Sequence, residues 1–349
     1  MGKNNFKHLL VIRLSAMGDV AMTIPVLSAL TTQYPDLKIT VLTRAFFRPM
    51  FVDLTNVRVY EADVYGKHKG ILGLWRLCRE LKVVGIDAVA DLHKVLRSSI
   101  LRWFFMSVGI PVVQIDKGRA DKKALTSYNN KVFKPLKTTF QRYADVFHKL
   151  GFPIDLERVI FMPKRTLPEN VLQLVGTDNL KWIGIAPFAA YPGKTYPNKL
   201  MEKIILALNN TNKYKIIFFG GGEHEKKQGE QWTNACVNAI NTIDILTFQD
   251  ELALISNLDL MLSMDSGNGH LAALFNIPTI TLWGVTHPYA GFSPFNQPLD
   301  NSLLADRENY PFIPTSIYGN KMPKGYENAM STIEPERVIS KITNLLDIK

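Results

Sequence analysis

An apolar run from Leu260 to Met264 breaks off into Asp265-Ser266-Gly267-Asn268-Gly269-His270, and an apolar helical pattern resumes at once. A polar, glycine-bearing turn between a strand and a helix presents free backbone N–H groups and the positive end of the helix dipole. Gly267 and Gly269 allow close backbone approach, Ser266 offers a hydroxyl, and Asn268 and His270 bring further donors into the first helical turn. The chemistry this suits is the holding of an anion, a phosphate above all. The same residues also read as an ordinary helix cap beside a satisfied histidine.

Three other stretches carry candidate chemistry. Gly193-Lys194-Thr195 imitates the end of a phosphate-binding P-loop, but Phe188 stands where that loop needs glycine, and Pro192 and Pro197 bracket the site. Lys194 remains as a point charge on a loop that follows a strand. Gly220-Gly221-Gly222 also follows a strand, yet a dinucleotide fingerprint would need glycine at Glu225; a tight turn remains, with Glu223 or Glu225 available to a ribose hydroxyl pair or simply starting a solvated helix. Near the N-terminus, Arg13-Leu14-Ser15-Ala16-Met17-Gly18-Asp19 puts a carboxylate at a strand end beside a helix start, where Asp19 is either a cap or a general base.

The elements that position these residues alternate between period-two and period-3.6 patterns. Strands are expected at His8–Leu14, Lys38–Thr43, Val57–Tyr60, Ile86–Asp91 and Val112–Ile115, with helices including Val20–Gln33, Ile71–Val84, Arg97–Val108 and Thr138–Leu150. The proline-bearing MPKRTLPEN then reads as a linker. Beyond it, strands are expected at Trp182–Pro187, Tyr214–Phe219, Ile243–Thr247, Leu258–Met264 and Thr279–Trp283, with helices that include Asn198–Leu208 and Gln249–Asn257. A capped, amphipathic segment closes the chain at Arg337–Leu346. Alternating βα units imply parallel sheets covered by helices, hence two doubly wound α/β domains, residues 1–165 and 166–330, followed by a C-terminal helix in 331–349. Ligands bind such sheets at the carboxyl ends of their strands, so a cleft between the two is the expected site.

Composition bounds the rest. With 349 residues, 46% hydrophobic and 21% charged, the chain is long enough for two cores and carries no low-complexity tract. No apolar run reaches membrane-spanning length, and the N-terminal MGKNNFKHLLVIRL reads as a strand rather than a leader. Cys78 and Cys236 do not suggest a disulfide framework, which fits a cytoplasmic location. The net charge of +10 suits a nucleic acid, an anionic membrane face or a phosphorylated substrate and does not choose among them.

The segments RLSAMGDVAMTIPVLSAL, GKTYP, GGGEHE and MDSGNGHLAALFNIPTITLWGVTHP choose. In that order, from Arg13 to Pro288, the chain resembles glycosyltransferase family 9, the ADP-heptose:lipopolysaccharide heptosyltransferases. It departs from the family pattern at Ala16, Asn268, Gly269, Val285 and His287. The resemblance implies a GT-B fold, two Rossmann-like domains facing across a cleft, with the acceptor on the first and the nucleotide-sugar on the second. It implies inverting transfer of a heptose from ADP-heptose to a hydroxyl of the lipopolysaccharide core, with neither cofactor nor metal. Residue by residue, Asp19 matches the general base, Lys194 the phosphate-binding lysine, Glu223 a ribose contact, and Asp265, Ser266, Gly267 and His270 the diphosphate turn, with Asn268 inside it. Positive charge then grows on the sugar and negative charge on the departing diphosphate, which a lysine, a histidine and helix N–H groups stabilise.

On the acceptor side the expected residues are Ser15, Gly18, Asp91 and His93. Asp91-Leu92-His93 puts two potential metal ligands on one strand but lacks a third, so a polar cleft wall is the better reading. The loop from Asp116 to Lys137 holds seven Lys or Arg against two Asp, and Lys117, Arg119, Lys122 and Lys123 are expected to meet a phosphorylated, lipid-linked core oligosaccharide at the cytoplasmic face of the inner membrane. The alternatives are a GT-B-like sugar-nucleotide epimerase or hydrolase, which needs no lipid acceptor, and a non-catalytic nucleotide-sugar-binding protein. A nucleic-acid partner is not expected, because it leaves the paired cleft motifs unexplained.

Overall fold

The computed structural model describes residues 6–347 and divides into two compact units. The first comprises residues up to Lys117 together with Thr139–Met162; the second comprises Gly118–Thr138 and everything from Pro163 onward.

The first unit is built on β1 (His8–Ile12), β2 (Lys38–Thr43), β3 (Val57–Glu61), β4 (Ala88–Asp91) and β5 (Val112–Gln114), all parallel, in the spatial order β3-β2-β1-β4-β5. The helices up to residue 149 are α1 (Met17–Ala21), α2 (Thr23–Gln33), α3 (Gly70–Val83), α4 (Leu96–Ser107), α5 (Arg119–Leu125) and α6 (Thr139–Lys149); α5 belongs to the second unit. β1 is apolar on both faces because both are covered: Leu10 and Ile12 join a core with Leu74, Leu77 and Leu81 of α3 and Leu101 and Phe105 of α4. The other helical layer contains α2 and α6, which pack together, with α6 also against β4 and β5.

The second unit repeats the scheme with β6 (Lys181–Ala186), β7 (Tyr214–Phe218), β8 (Ala239–Asn241), β9 (Leu260–Met264), β10 (Thr279–Trp283) and β11 (Ser302–Leu304), ordered β11-β10-β9-β6-β7-β8 and again all parallel. Its helices are α7 (Glu169–Val175), α8 (Asn198–Asn210), α9 (Glu223–Asn234), α10 (Phe248–Ile255), α11 (Gly267–Leu274) and α12 (Pro335–Asp347). α12, the expected C-terminal helix, packs beside α8 and buries Val338, Ile342 and Leu346 in the second unit's core. Cys78 and Cys236 lie in different units as free thiols. Among the described residues no helix is long and apolar enough to cross a membrane.

Two expectations fail. The strand placed at Ile243–Thr247 is instead the loop into α10: Ile243 is buried from that loop, and Thr247 caps the helix by accepting from the Asp250 N–H. The pairing strand β8 lies just before it, short and half-buried, with little apolar signal.

The second failure concerns the basic loop, which the sequence places in the acceptor-binding domain, residues 1–165. Gly118–Thr138 belongs to the second unit, and its anchors explain why. Lys131 donates to the Leu125 and Pro314 carbonyls, each at 2.8 Å, and the Leu136 N–H donates to the Tyr289 carbonyl. Tyr128 stacks on Phe312 at 3.9 Å, and Phe133 lies under the Arg307 guanidinium at 3.5 Å and against His287 and Tyr289. Lys122 is buried, its ammonium 4.2 Å from the centre of the Phe292 ring. Burial, then Arg307, lowers the Lys131 ammonium to about 8. The arm is held by aromatic and cation–π packing rather than solvated. Phe133→Ala should therefore release it, and tryptic cleavage after Lys131 should accelerate by about tenfold for each ~1.4 kcal/mol of lost anchoring; unchanged digestion kinetics would show that the arm is held elsewhere.

Candidate functional site

In each unit the expected residues converge where the chain reverses its direction of winding. In the first, β1 and β4 are neighbours whose chain continuations diverge, and the loops after them carry Arg13–Asp19 and Leu92–Val95. Arg13 is buried, an unusual fate for a charge at the end of an apolar strand. One guanidinium nitrogen donates to the Leu92 carbonyl at 2.6 Å and the other pairs with the Asp19 carboxylate at 2.5 Å. The Tyr143 ring lies 6.0 Å from the guanidinium, and its hydroxyl donates to the Asp19 carbonyl. Asp19 also reaches the Ala16 N–H at 3.4 Å, a weak cap, while 31% of its side chain stays exposed. Asp19 therefore closes the first turn of α1 and keeps a partly exposed carboxylate whose orientation Arg13 fixes.

His93 is buried beside this loop, its Nε2 3.4 Å from Ser15 Oγ and its Nδ1 without a hydrogen-bond partner. Burial, and next the Arg13 charge, push its imidazole down to about 4. Ser15, Gly18, Asp19 and His93 are thus brought together. Asp91 is not available to a ligand. It is fully buried, accepting from the His93 and Lys94 N–H groups, both at 2.9 Å, and from the Gln114 amide at 2.7 Å, so it shapes the loop that carries His93. Lys117 ends the first unit's sheet region and adds to the field on His93, whereas Arg119, Lys122 and Lys123 lie on α5 in the second unit. The acceptor set expected from the sequence is therefore divided, and the buried Lys122 is removed from it.

In the second unit β6 and β9 are the neighbours at the reversal, and Lys194 follows one while Asp265–His270 follows the other. The loops meet in an ion pair, Lys194 Nζ to Asp265 Oδ2 at 3.0 Å, with both side chains mostly buried. A 3-10 turn at Pro192–Lys194 is pinned by the Val285 N–H donating to the Gly193 carbonyl. Gly319, at φ +83°, leaves room for the lysine stem, since a Cβ there would stand 2.3 Å from its Cδ. Ser266 is the N-cap of α11 but its side chain makes no capping bond, so the hydroxyl is not spent on the helix. Asn268 and His270 are buried in that first turn. Gly269 has a different use from the close ligand approach expected of it: a Cβ would sit 2.5 Å from Ser263 Oγ, so this glycine lets α11 pack on β9.

Glu223 is exposed at the start of α9. Beside it, Glu225 accepts from the Gly221 N–H at 2.8 Å and Asp244 from the Gly222 N–H at 2.6 Å, which fixes the glycine turn. Burial, then Asp244, raises the Glu251 carboxyl to about 7. Sequence reasoning missed Asp244, Glu251 and the role of Arg13; only Arg13 left a signal, as an ionised residue closing an apolar strand. No cluster of three potential metal ligands occurs among the described residues.

Two parallel α/β units, each with a polar loop pair at its winding reversal, define the GT-B architecture of sugar-nucleotide enzymes. The chain belongs to glycosyltransferase family 9 (heptosyltransferase), whose family model matches residues 74–316. It is 25% identical over 314 residues to the lipopolysaccharide core heptosyltransferase OpsX of Haemophilus influenzae, covering 87% of this chain and 86% of that one. A solved family 9 glycosyl transferase from Veillonella parvula superposes with a TM-score of 0.76 at 20% identity, covering 98% of each chain. The E. coli heptosyltransferase WaaC solved with ADP-2-deoxy-2-fluoro heptose gives 0.66 at 18% identity, covering 97% of this chain and 99% of that one. At these identities the solved structures establish the fold.

The His93 environment has a measurable consequence. An unfolded chain protonates a histidine near 6.5, whereas the folded first unit resists doing so down to about 4, so stability falls with acid across that window. His93→Gln should destabilise the protein at pH 7, and that deficit should shrink by up to ~1.4 kcal/mol per pH unit as the pH is lowered from 6.5. Parallel melting curves for both proteins between pH 7 and 5 check this; a constant offset would refute it.

Proposed function

We propose that this protein transfers a heptose from ADP-heptose to a hydroxyl of the lipopolysaccharide core, with inversion at the anomeric carbon. Family membership supports the reaction class, and the relatives named above supply its substrates: OpsX acts in the lipopolysaccharide core, and WaaC was solved with an ADP-heptose analogue. The observation that carries the reading is the meeting of Lys194 with the Asp265 turn at the second sheet's reversal, where a buried cation stands beside a helix N-terminus. In this reading the diphosphate takes Lys194 from Asp265, and Ser266, Gly267, Asn268, His270 and the N–H groups of α11 receive the growing negative charge. Glu223 meets the adenosine ribose.

Asp19 takes the proton from the attacking hydroxyl, and Arg13 holds the carboxylate in place. Ser15, Gly18 and His93 line the approach of the acceptor. A groove in the first unit, bordered by Arg44, Phe46 and Tyr65 and by Arg48 and Lys67, which pair with Glu61 and Glu80, offers aromatic faces and the Arg44 guanidinium to an oligosaccharide. Lys117 belongs with that acceptor side, and Arg119 and Lys123 act only as long-range charge. The acceptor is lipid-linked, so the reaction takes place at the cytoplasmic face of the inner membrane with the protein peripheral to it.

Mass spectrometry of a reaction containing ADP-heptose and a core acceptor tests the whole reading. An added heptose is the expected result; an isomerised donor would indicate the epimerase alternative, and an unchanged donor a binding protein. In the same assay Asp19→Asn should lower kcat by about 10²–10⁴ while ADP-heptose binding stays within a few-fold. Lys194→Ala should both weaken donor binding and slow transfer, because the charge it meets grows as the bond breaks. Wild-type turnover in either variant would take that residue out of the mechanism.

A further inference from the structure

Helices α3 and α4 lie side by side over one face of the first unit's sheet, and their inward faces suffice for its core. Their outward faces are nonetheless apolar. On α3, Ile71, Leu72 and Trp75 are exposed, Leu72 at 82%. On α4, Leu96, Trp103 and Met106 are exposed, Leu96 at 80% and Trp103 at 69%. Ten of the twenty exposed large apolar side chains among the described residues fall within residues 65–108, which concentrates them on one part of one unit.

The charge on the same surface has one sign. At 100° per residue, Ile71, Lys82, Trp75, Arg79, Leu72 and Arg76 fall within a single arc of about 140° on α3. The Arg79 guanidinium stacks on the Trp75 ring at 4.9 Å, so cation and aromatic face outward together. The only acid in α3 is Glu80, and α4 has none. Glu80 is compensated: it pairs with Lys67 at 2.7 Å and accepts from Tyr60, contacts that hold its carboxyl down to about 2. What remains outward is tryptophan and aliphatic surface ringed by uncompensated Arg and Lys.

The geometry points to the outward face of α3 and α4 as the surface with which this protein docks onto an anionic lipid bilayer, indole and aliphatic groups entering the interface and Arg76, Arg79 and Lys82 meeting the headgroups. This deepens the lipid-linked acceptor reading and partly rests on it. It also moves membrane contact from the Asp116–Lys137 loop, where Lys122, Tyr128, Lys131 and Phe133 are engaged within the second unit, to helices whose outer side chains have no use in the core. A bilayer fits better than a second copy of the chain, because two such cationic faces would repel each other.

The test is co-sedimentation with vesicles of phosphatidylcholine alone or mixed with phosphatidylglycerol, using wild type, Leu72→Ser/Trp75→Ser/Trp103→Ser and Arg76→Gln/Arg79→Gln/Lys82→Gln. Wild type should bind the anionic vesicles, and less so at high salt. The charge variant should partition about 100-fold more weakly, and the apolar variant should lose affinity by a similar order. Transfer to a water-soluble acceptor fragment should be unchanged in both, while transfer to acceptor embedded in vesicles should fall. That separates the two readings: loss of soluble-acceptor transfer in wild type would sink the enzymatic proposal and leave docking measured independently. Wild-type vesicle binding in either variant overturns the docking face. So does a wild-type protein that ignores anionic vesicles, or one whose dimerisation in sedimentation velocity, without lipid, disappears in the apolar variant.

Discussion

A parallel sheet wound outward from its first strand leaves one place where neighbouring strands send their chains to opposite sides, and only there do two loops diverge and leave room between them. Both units of this chain obey that constraint, at β1/β4 and at β6/β9. Each puts a cation on one side and a carboxylate within reach: Arg13 with Asp19 inside one loop, Lys194 with Asp265 between two. The position of both charged loop pairs follows from where the sheets change direction.

Burying such ion pairs contributes little net stability, since the desolvation of both partners offsets most of their attraction. Their value here is positional. Arg13 joins the loop after β1 to the Leu92 carbonyl in the loop after β4, and Tyr143 of α6 closes the arrangement from a third element. The Lys194 stem depends on Gly319 and on Val285 for its path. Substitutions at these supporting residues would shift the two ion pairs without removing either charge.

Much of this was legible in the sequence because buried parallel strands are written as short apolar runs. Tyr214–Phe218 and Leu260–Met264 are recognisable by composition alone, and the polar turn from Asp265 stands out against them. The edge strand Ala239–Asn241 carries no such run, so the apolar Ile243 nearby drew the assignment instead. The basic loop misled for a different reason: a lysine reads as solvated until an aromatic partner distant in sequence, such as Phe292 for Lys122, covers it. The same blindness hid the seal around Asp91, whose partners are backbone N–H groups and a glutamine on the neighbouring strand.

The division of the chain also orders its own synthesis. The first unit is complete only when Thr139–Met162 has been made, yet the arm Gly118–Thr138 by then has nothing to fold against. Its anchoring groups, from His287 and Tyr289 to Arg307 and Phe312, emerge from the ribosome only after strands β6 to β10 have been made. At ordinary rates of elongation Tyr128 and Phe133 wait on the order of 10–30 s as an unfolded tether between a finished domain and one still being translated. The nascent protein therefore carries a timed aromatic segment that is shielded only once the second unit's sheet has been translated.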